Sequence, residues 1–295
     1  MSIDSRFREI ARATVRTQEI APGALNSAAV EAAVRAVQHS GLVVLEGAVT
    51  AESINALRHK MTEDLPAFLA RNRRPFNWNP GNLQQAPPRA LPYLLRDVLV
   101  NDSVIAVTSA LLGAGVRSVY YEGNTAMPRS TQRQPVHTDQ TQLWRGLEHA
   151  PPANALVINV PLCDVGPENG GTELWLGSHL ETGLTWGDPL DVPTDLQERR
   201  RAFAPPVRLQ ARAGDVLIRD IRLWHAGMPN GTDEPRFLIA MIHTAGWWRF
   251  PGMEPLKFPK GAEGLLSHPV LTTHVEFVDE PIDHVQLTEG HKYQD

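Results

Sequence analysis

Gln134-Pro135-Val136-His137-Thr138-Asp139 carries a histidine and an aspartate two residues apart on an extended segment. Strand side chains alternate between faces, so His137 and Asp139 point the same way and can grip one metal ion. A third ligand must come from elsewhere in the chain. The best candidate is His225, in Arg222-Leu223-Trp224-His225-Ala226-Gly227, 88 residues further on, far enough for several strands to return beside His137. The Ala226-Gly227 pair permits close backbone approach there. Two histidines and one carboxylate on one face of an octahedron leave three positions open. In a chain with 11 histidines a single His-x-Asp means little alone; its weight comes from what surrounds it.

Arg236 follows His225 by eleven residues, across the turn-rich Pro229-Asn230-Gly231-Thr232-Asp233. That turn is expected to let the strand 235–242 pair back beside the His225 segment, with Arg236 deep in a barrel. An arginine there needs an anion, and its planar fork suits a carboxylate. Gly214-Asp215 turns into the apolar strand Val216-Leu217-Ile218-Arg219-Asp220, which delivers His225. Glu168-Asn169-Gly170-Gly171-Thr172 reads as a tight turn leading to Leu174-Trp175-Leu176-Gly177-Ser178-His179.

The chain before this region is helical. Ser27–Ser40 has apolar residues at helical spacing, Asn26 or Ser27 as cap, and Gly41 as its end. Thr50 caps a second helix over about 50–70, and Asp102–Leu112 is a third, ended by Gly113. Residues 1–26 read as a loosely ordered lead-in, and 71–92 as a long loop able to cover a site. After Gly115, short β-branched runs bounded by Gly or Pro predict strands at 116–122, 156–160, 207–211, 216–219 and 237–243, after a first strand at 42–45. Helices first and strands later predict an α+β, mainly β architecture, with helices packed on one side of a largely antiparallel sandwich or barrel.

Composition sets the outer limits. The 295 residues, 42% of them hydrophobic, favour one large domain over two. A net charge of −5 gives no electrostatic footprint for nucleic acid. The basic runs 71–74 and 199–201 are short and read as solvated faces. Cys163 is the single cysteine, which excludes an internal disulfide and a Cys-based zinc site. Met1-Ser2-Ile3-Asp4-Ser5-Arg6 lacks a basic-then-apolar leader, and no apolar run nears the ~20 residues of a membrane span. The expectation is a soluble, cytoplasmic protein without a membrane partner. Nothing in the pattern fixes an oligomeric state.

The combination of His137-x-Asp139, Glu168-Asn169-Gly170-Gly171-Thr172 with Gly177-Ser178-His179, Gly214-Asp215-Val216, His225-Ala226-Gly227 and Arg236 resembles the phytanoyl-CoA dioxygenase (PhyH) family, a branch of the Fe(II)/2-oxoglutarate oxygenases. The resemblance covers roughly residues 28–245. It implies a double-stranded β-helix (jelly-roll) core over about 116–245, packed N-terminal helices over about 27–113, and a C-terminal segment 246–295. It implies iron ligation by His137, Asp139 and His225, and Arg236 on the distal carboxylate of 2-oxoglutarate. Gln134 and Thr172 match positions that often contact that cosubstrate. O₂ is the co-reactant, with ascorbate in support. A carboxylate at Asp139 argues for hydroxylation, desaturation, epoxidation or ring formation, because related halogenases have a small residue there. Leu176 departs from the proline that many members place before Gly-Ser-His. Within the family, Asn77-Trp78-Asn79-Pro80-Gly81, Gln84-Gln85, Pro87-Pro88 and Arg222-Leu223-Trp224-His225 are similar to aminoglycoside dioxygenases of the kanamycin type.

A small-molecule substrate, in the resemblance a secondary metabolite, would meet Trp144, Trp78, Asn124, Tyr121, Trp224 and Trp248, with Tyr120 and Asn159 as further candidates; core packing is the plain alternative for the aromatic residues. His243 falls on the face opposite Arg236 and is not read as a ligand. His179 serves its turn, while His149, His268, His274, His284 and His291 are read as surface residues. Two other functions compete. A cupin-type metal enzyme without 2-oxoglutarate has no use for Arg236, and an inactive jelly-roll binding protein has no use for a complete ligand set.

Overall fold

The computed structural model describes residues 7–15, 25–249 and 252–287. The opening hexapeptide and His291 lie outside them. In chain order the elements are β1 (Arg12–Thr14), α1 (Ser27–Ser40), β2 (Leu42–Glu46), α2 (Ala51–Leu69), β3 (Phe76–Asn77), β4 (Asn79–Gln84), α3 (Arg96–Leu99), α4 (Asp102–Leu112), β5 (Arg117–Ala126), β6 (Ala155–Pro161) and β7 (Glu173–Leu174). Then follow α5 (Thr194–Arg201), β8 (Val207–Arg208), β9 (Val216–Asp220), β10 (His225–Ala226), β11 (Arg236–Thr244), β12 (Leu256–Pro259), α6 (Glu263–Leu266), β13 (Thr272–Thr273), β14 (Val275–Val278) and α7 (His284–Leu287).

The long helices start and stop where the sequence supplies caps. Asn26 accepts from the Ala29 amide at the head of α1, and Gly41 closes it in the left-handed region at φ 81°. Thr50 and Asn101 do the same service for α2 and α4. A nine-stranded sheet runs β1-β2-β9-β6-β11-β5-β4-β3, with β13 added on β5. A small sheet runs β10-β7-β8. Side-chain alternation splits the large sheet into two faces. Ile158, Ile218, Phe237, Ile239 and Met241 join α1, α2 and α4 in the main core. Val157, Leu217, Leu238 and Ile242 point the other way and line a cavity closed by the small sheet. Two sheets around a central site, with helices on the outer face of one, are the double-stranded β-helix arrangement expected.

Several expectations need correction. The stretch 71–92 is not a plain loop, because β3 and β4 lie in it and β4 pairs with β5 at Asn82↔Ala126, Leu83↔Thr125 and Gln84↔Asn124. Its Asn-Pro-Gly-Asn composition is turn chemistry locally, and a distant partner overrides it. The strand after the Pro229–Asp233 turn does not pair beside His225. β11 is long enough to run between β5 and β6, whereas the two-residue β10 pairs with β7. The lead-in contributes β1, parallel to β2, and the 207–211 strand shrinks to two residues. Arg200 is 4% exposed rather than solvated, paired with Glu181 at 2.7 Å and bonded to the Leu176 carbonyl. His284 is no free surface residue: its Nε2 meets Asp64 at 2.8 Å and ties α7 to α2. His268 likewise meets Asp102 at 3.1 Å. Among the described residues no helix is long and apolar enough to cross a membrane.

Candidate metal centre

His137 and His225 are held opposite each other by backbone. The two residues form an antiparallel bridge, with His137 N–H donating to His225 O at 2.9 Å and His225 N–H to His137 O at 2.8 Å. The His225 segment is fixed from both sides. The Arg222 guanidinium forks onto both oxygens of Asp220, at 2.9 and 2.7 Å, and also reaches Gln142 and the Pro151 carbonyl. The Trp224 amide donates to Ser178 Oγ at 2.8 Å, which gives the Gly177-Ser178-His179 motif its task. His179 bonds the Gln38 carbonyl at the end of α1, as expected for a turn residue.

One ligand atom from each of His137, Asp139 and His225 falls within 4.8 Å of the other two. The ring chemistry suits a metal. Nδ1 of His137 lies 2.9 Å from the Pro135 carbonyl, and Nδ1 of His225 lies 3.0 Å from that of Leu223. A carbonyl can only accept, so Nδ1 carries the proton in both rings and Nε2 presents its lone pair. Burial lowers the pKa of both histidines, that of His225 well below the ordinary value, so both rings are neutral near pH 7. Desolvation works to raise the Asp139 carboxyl, but Arg219 and the two histidines overcome it and hold the group well below the usual carboxylate range. Its Oδ1 faces His225 Nε2 at 3.8 Å, while Oδ2 accepts from Arg219 at 2.6 Å.

Arg236 enters from the start of β11 with 2% of its surface exposed. It donates to the Gly170 carbonyl at 3.1 Å, and Nε has no hydrogen-bond partner among the described residues. Burial pushes its pKa down to about 10, so it stays charged at neutral pH. A buried charge without a counter-ion is costly by several kcal/mol, and a carboxylate ligand removes that cost. The Glu168-Asn169-Gly170-Gly171 turn explains how Gly170 meets it: Asn169 bonds Gly166 and Asp164 within the turn, and Gly170 sits at φ 84°.

The cavity of about 430 Å³ is lined by His137, Asp139, His225, Arg236, Gln134 and Thr172 together. Gln134 is a staple in this arrangement, accepting from the Gly227 amide at 2.7 Å and donating to Asn77 O at 3.2 Å. Of the residues read as substrate contacts, Trp78 and Asn124 line the cavity, as do Tyr120 and Asn159. Trp78 adopts φ 71°, rare for a bulky residue, and its ring centre lies 5.1 Å from that of His137. The other four are elsewhere. Tyr121 and Trp224 differ by one residue from cavity-facing neighbours, so alternation buries Tyr121 against Phe258 and Trp224 against Trp175. Trp144 is 50% exposed and stacks on Trp247, and Trp248 packs edge-on to Trp186. Arg219 was hidden from sequence reading because it ends an apolar strand run. His243, on the helix side as its parity requires, bonds Thr108.

Comparison with known proteins agrees with this geometry. The chain is 31% identical over 197 residues to dioxygenase af480 of Aspergillus fumigatus, a match covering 64% of this chain and 57% of that protein. The chain thus spans a little over half the length of that relative. Among solved structures it is similar to apo EctD from S. alaskensis, with a TM-score of 0.57, 19% identity, and 79% and 81% of the two chains covered. It is also similar to SnoK, the non-heme alpha ketoglutarate dependent carbocyclase from nogalamycin biosynthesis, with a TM-score of 0.55, 22% identity, and 75% and 84% covered. A sequence profile for phytanoyl-CoA dioxygenase (PhyH) matches residues 37–238, a span that holds most strands of both sheets together with His137, Asp139, His225 and Arg236, and the chain belongs to that family.

Proposed function

We propose that the protein is an Fe(II)/2-oxoglutarate-dependent dioxygenase that oxidises a small molecule, with His137, Asp139 and His225 as the iron ligands. The observation that carries this reading is the pairing of a convergent His-Asp-His set with Arg236, a buried cation in the same cavity whose Nε has no hydrogen-bond partner among the described residues. The donor set suits the metal, since two neutral imidazoles and a carboxylate with open positions are the ligands of non-haem Fe(II) oxygenases. Bound there, Fe(II) would supply O₂ activation coupled to oxidative decarboxylation of 2-oxoglutarate.

The chain's own residues supply geometry and dryness. Backbone carbonyls of Pro135 and Leu223 orient the two rings. Arg219 occupies the outer oxygen of Asp139 and leaves the other for the metal. Arg236 receives the distal carboxylate of 2-oxoglutarate, and Thr172 stands on the same wall. Gln134 acts on the backbone of Gly227 and Asn77 rather than as a free donor. Val157, Leu217, Ile221 and Ile242 exclude water, and Trp78 and Asn124 border the substrate. The cavity lies within the roughly 300–1,000 Å³ typical of ligand sites. The part that SnoK plays in nogalamycin biosynthesis supports a secondary metabolite as substrate. The net charge of −5 supports a protein without a nucleic-acid partner, and the single cysteine fits the cytoplasm.

The test is succinate release from 2-oxoglutarate by Fe(II)-reconstituted protein in air, across a panel of candidate small molecules. Release that needs iron and disappears in Asp139→Ala supports the reading. Iron binding without any 2-oxoglutarate turnover would move the cupin-type alternative ahead.

A further inference from the structure

Arg219 stands on β9 with its side chain in the cavity wall and 7% of its surface exposed. Nη2 donates to Asp139 Oδ2 at 2.6 Å, and Nε donates to Asn159 Oδ1 at 3.3 Å. The third nitrogen, Nη1, is buried and has no hydrogen-bond partner among the described residues. An arginine cannot shed its proton, so this donor and its charge persist at every working pH. A buried charged donor left unmet is unfavourable, and its natural remedy is an acceptor from the cavity.

The charge balance of the site points the same way. Among the described residues, the charged side chains lining the cavity are Asp139, Arg219 and Arg236. With Fe(II) and doubly negative 2-oxoglutarate in place, the metal, its carboxylate ligand, Arg236 and the cosubstrate cancel. Arg219 remains as one positive charge, with its Asp139 partner already engaged by the metal. Beside it the wall carries Val157, Leu217, Ile221 and Ile242, with Asn159 and Tyr120 as its polar members.

We propose that Arg219 selects a substrate bearing a single carboxylate on a largely apolar body, the carboxylate accepting from the guanidinium and the body lying along Val157, Leu217, Ile221 and Ile242. This rests on the reading of the cavity as an iron and 2-oxoglutarate site. Asn159 serves as a positioning residue that sets the plane of the guanidinium.

The test uses full-length protein loaded with redox-inert Mn(II) and saturated with 2-oxoglutarate. Matched pairs of probes with the same shape, 3-phenylpropionate against 3-phenylpropanamide and octanoate against octanamide, are titrated by calorimetry. At least one carboxylate should bind roughly tenfold or more tightly than its amide, the factor a charge-assisted hydrogen bond supplies. In Arg219→Gln that preference should fall to within about threefold, the size of a neutral hydrogen-bond difference. Equal binding across every wild-type pair overturns the proposal. So does a preference that survives in Arg219→Gln, because the carboxylate is then held elsewhere, for instance in place of 2-oxoglutarate. If Arg219→Gln loses Mn(II), Arg219→Met at matched metal saturation decides by the same two criteria, and the wild-type pairs decide without either variant. Failure of wild type to bind Mn(II) or 2-oxoglutarate would strike the reading of the site itself, and is seen before any probe is added.

Discussion

His137 and His225 reach the cavity with each Nδ1 proton already given to a backbone carbonyl, so each ring is aimed before a metal arrives. Removing either ring, or the Asp139 carboxylate, should weaken Mn(II) binding by more than the roughly 10–100-fold typical of changes one shell further out. Mn(II) titration of His225→Ala and Asp139→Ala checks this, and a loss below tenfold would put the ligand assignment in doubt. Gly227 makes a subtler case. A Cβ there would stand 2.6 Å from the Gln134 Oε1 that the glycine's own amide bonds. Gly227→Ala should therefore push Gln134 off its staple and weaken metal and cosubstrate binding together, while the fold survives by circular dichroism. At this scale the sequence was a good guide to which residues meet in the cavity, because His137 and Asp139 share one tripeptide and Arg236 follows a turn. Arg219 escaped notice for a physical reason: a strand arginine looks like an edge residue until the strand is known to lie between β2 and β6.

Among elements, the contact of β11 with α4 carries a titration. His243 faces the helices, 2% exposed, and bonds Thr108 Oγ1 at 3.0 Å. Burial pushes its pKa down to about 3. The unfolded chain takes up that proton below the ordinary value near 6.5, and the folded chain does not. Stability from this residue is therefore constant above about pH 6.5 and falls as pH drops toward 3, by up to roughly 1.4 kcal/mol per pH unit. Urea unfolding of metal-free His243→Asn should show a shallower acid slope than wild type, and equal slopes would contradict the burial argument. Helices α1, α2 and α4 were legible from their caps and spacing, since those signals are local. β3 and β4 were not, because Asn79-Pro80-Gly81-Asn82 becomes a strand only through its pairing with β5. The same distinction explains β11: the turn before it was visible, but its partners β5 and β6 lie more than seventy positions upstream.

For the whole molecule, two sheets converge on one cavity and the helices pack on the outer face of one of them, so occupancy of that cavity should be felt globally. Ligands that bind only the folded state add about 2.7 kcal/mol at a hundredfold excess over Kd. In a chain of 295 residues that corresponds to a rise in Tm of roughly 4–5 °C. Thermal unfolding with Mn(II) and 2-oxoglutarate should show such a rise, and Arg236→Ala should keep the part due to metal and lose most of the part due to 2-oxoglutarate. The most direct measurement is anaerobic titration of the Fe(II)-loaded protein with 2-oxoglutarate, following the visible charge-transfer absorption of the keto-acid chelate in wild type and Arg236→Ala. The predicted result is absorption that saturates in wild type and needs roughly 10–100-fold more cosubstrate in the variant, the range expected for losing a charged, two-pronged contact. Iron binding with no absorption at millimolar-scale cosubstrate (about the weakest affinity worth calling a site), or identical curves for the two proteins, would contradict it.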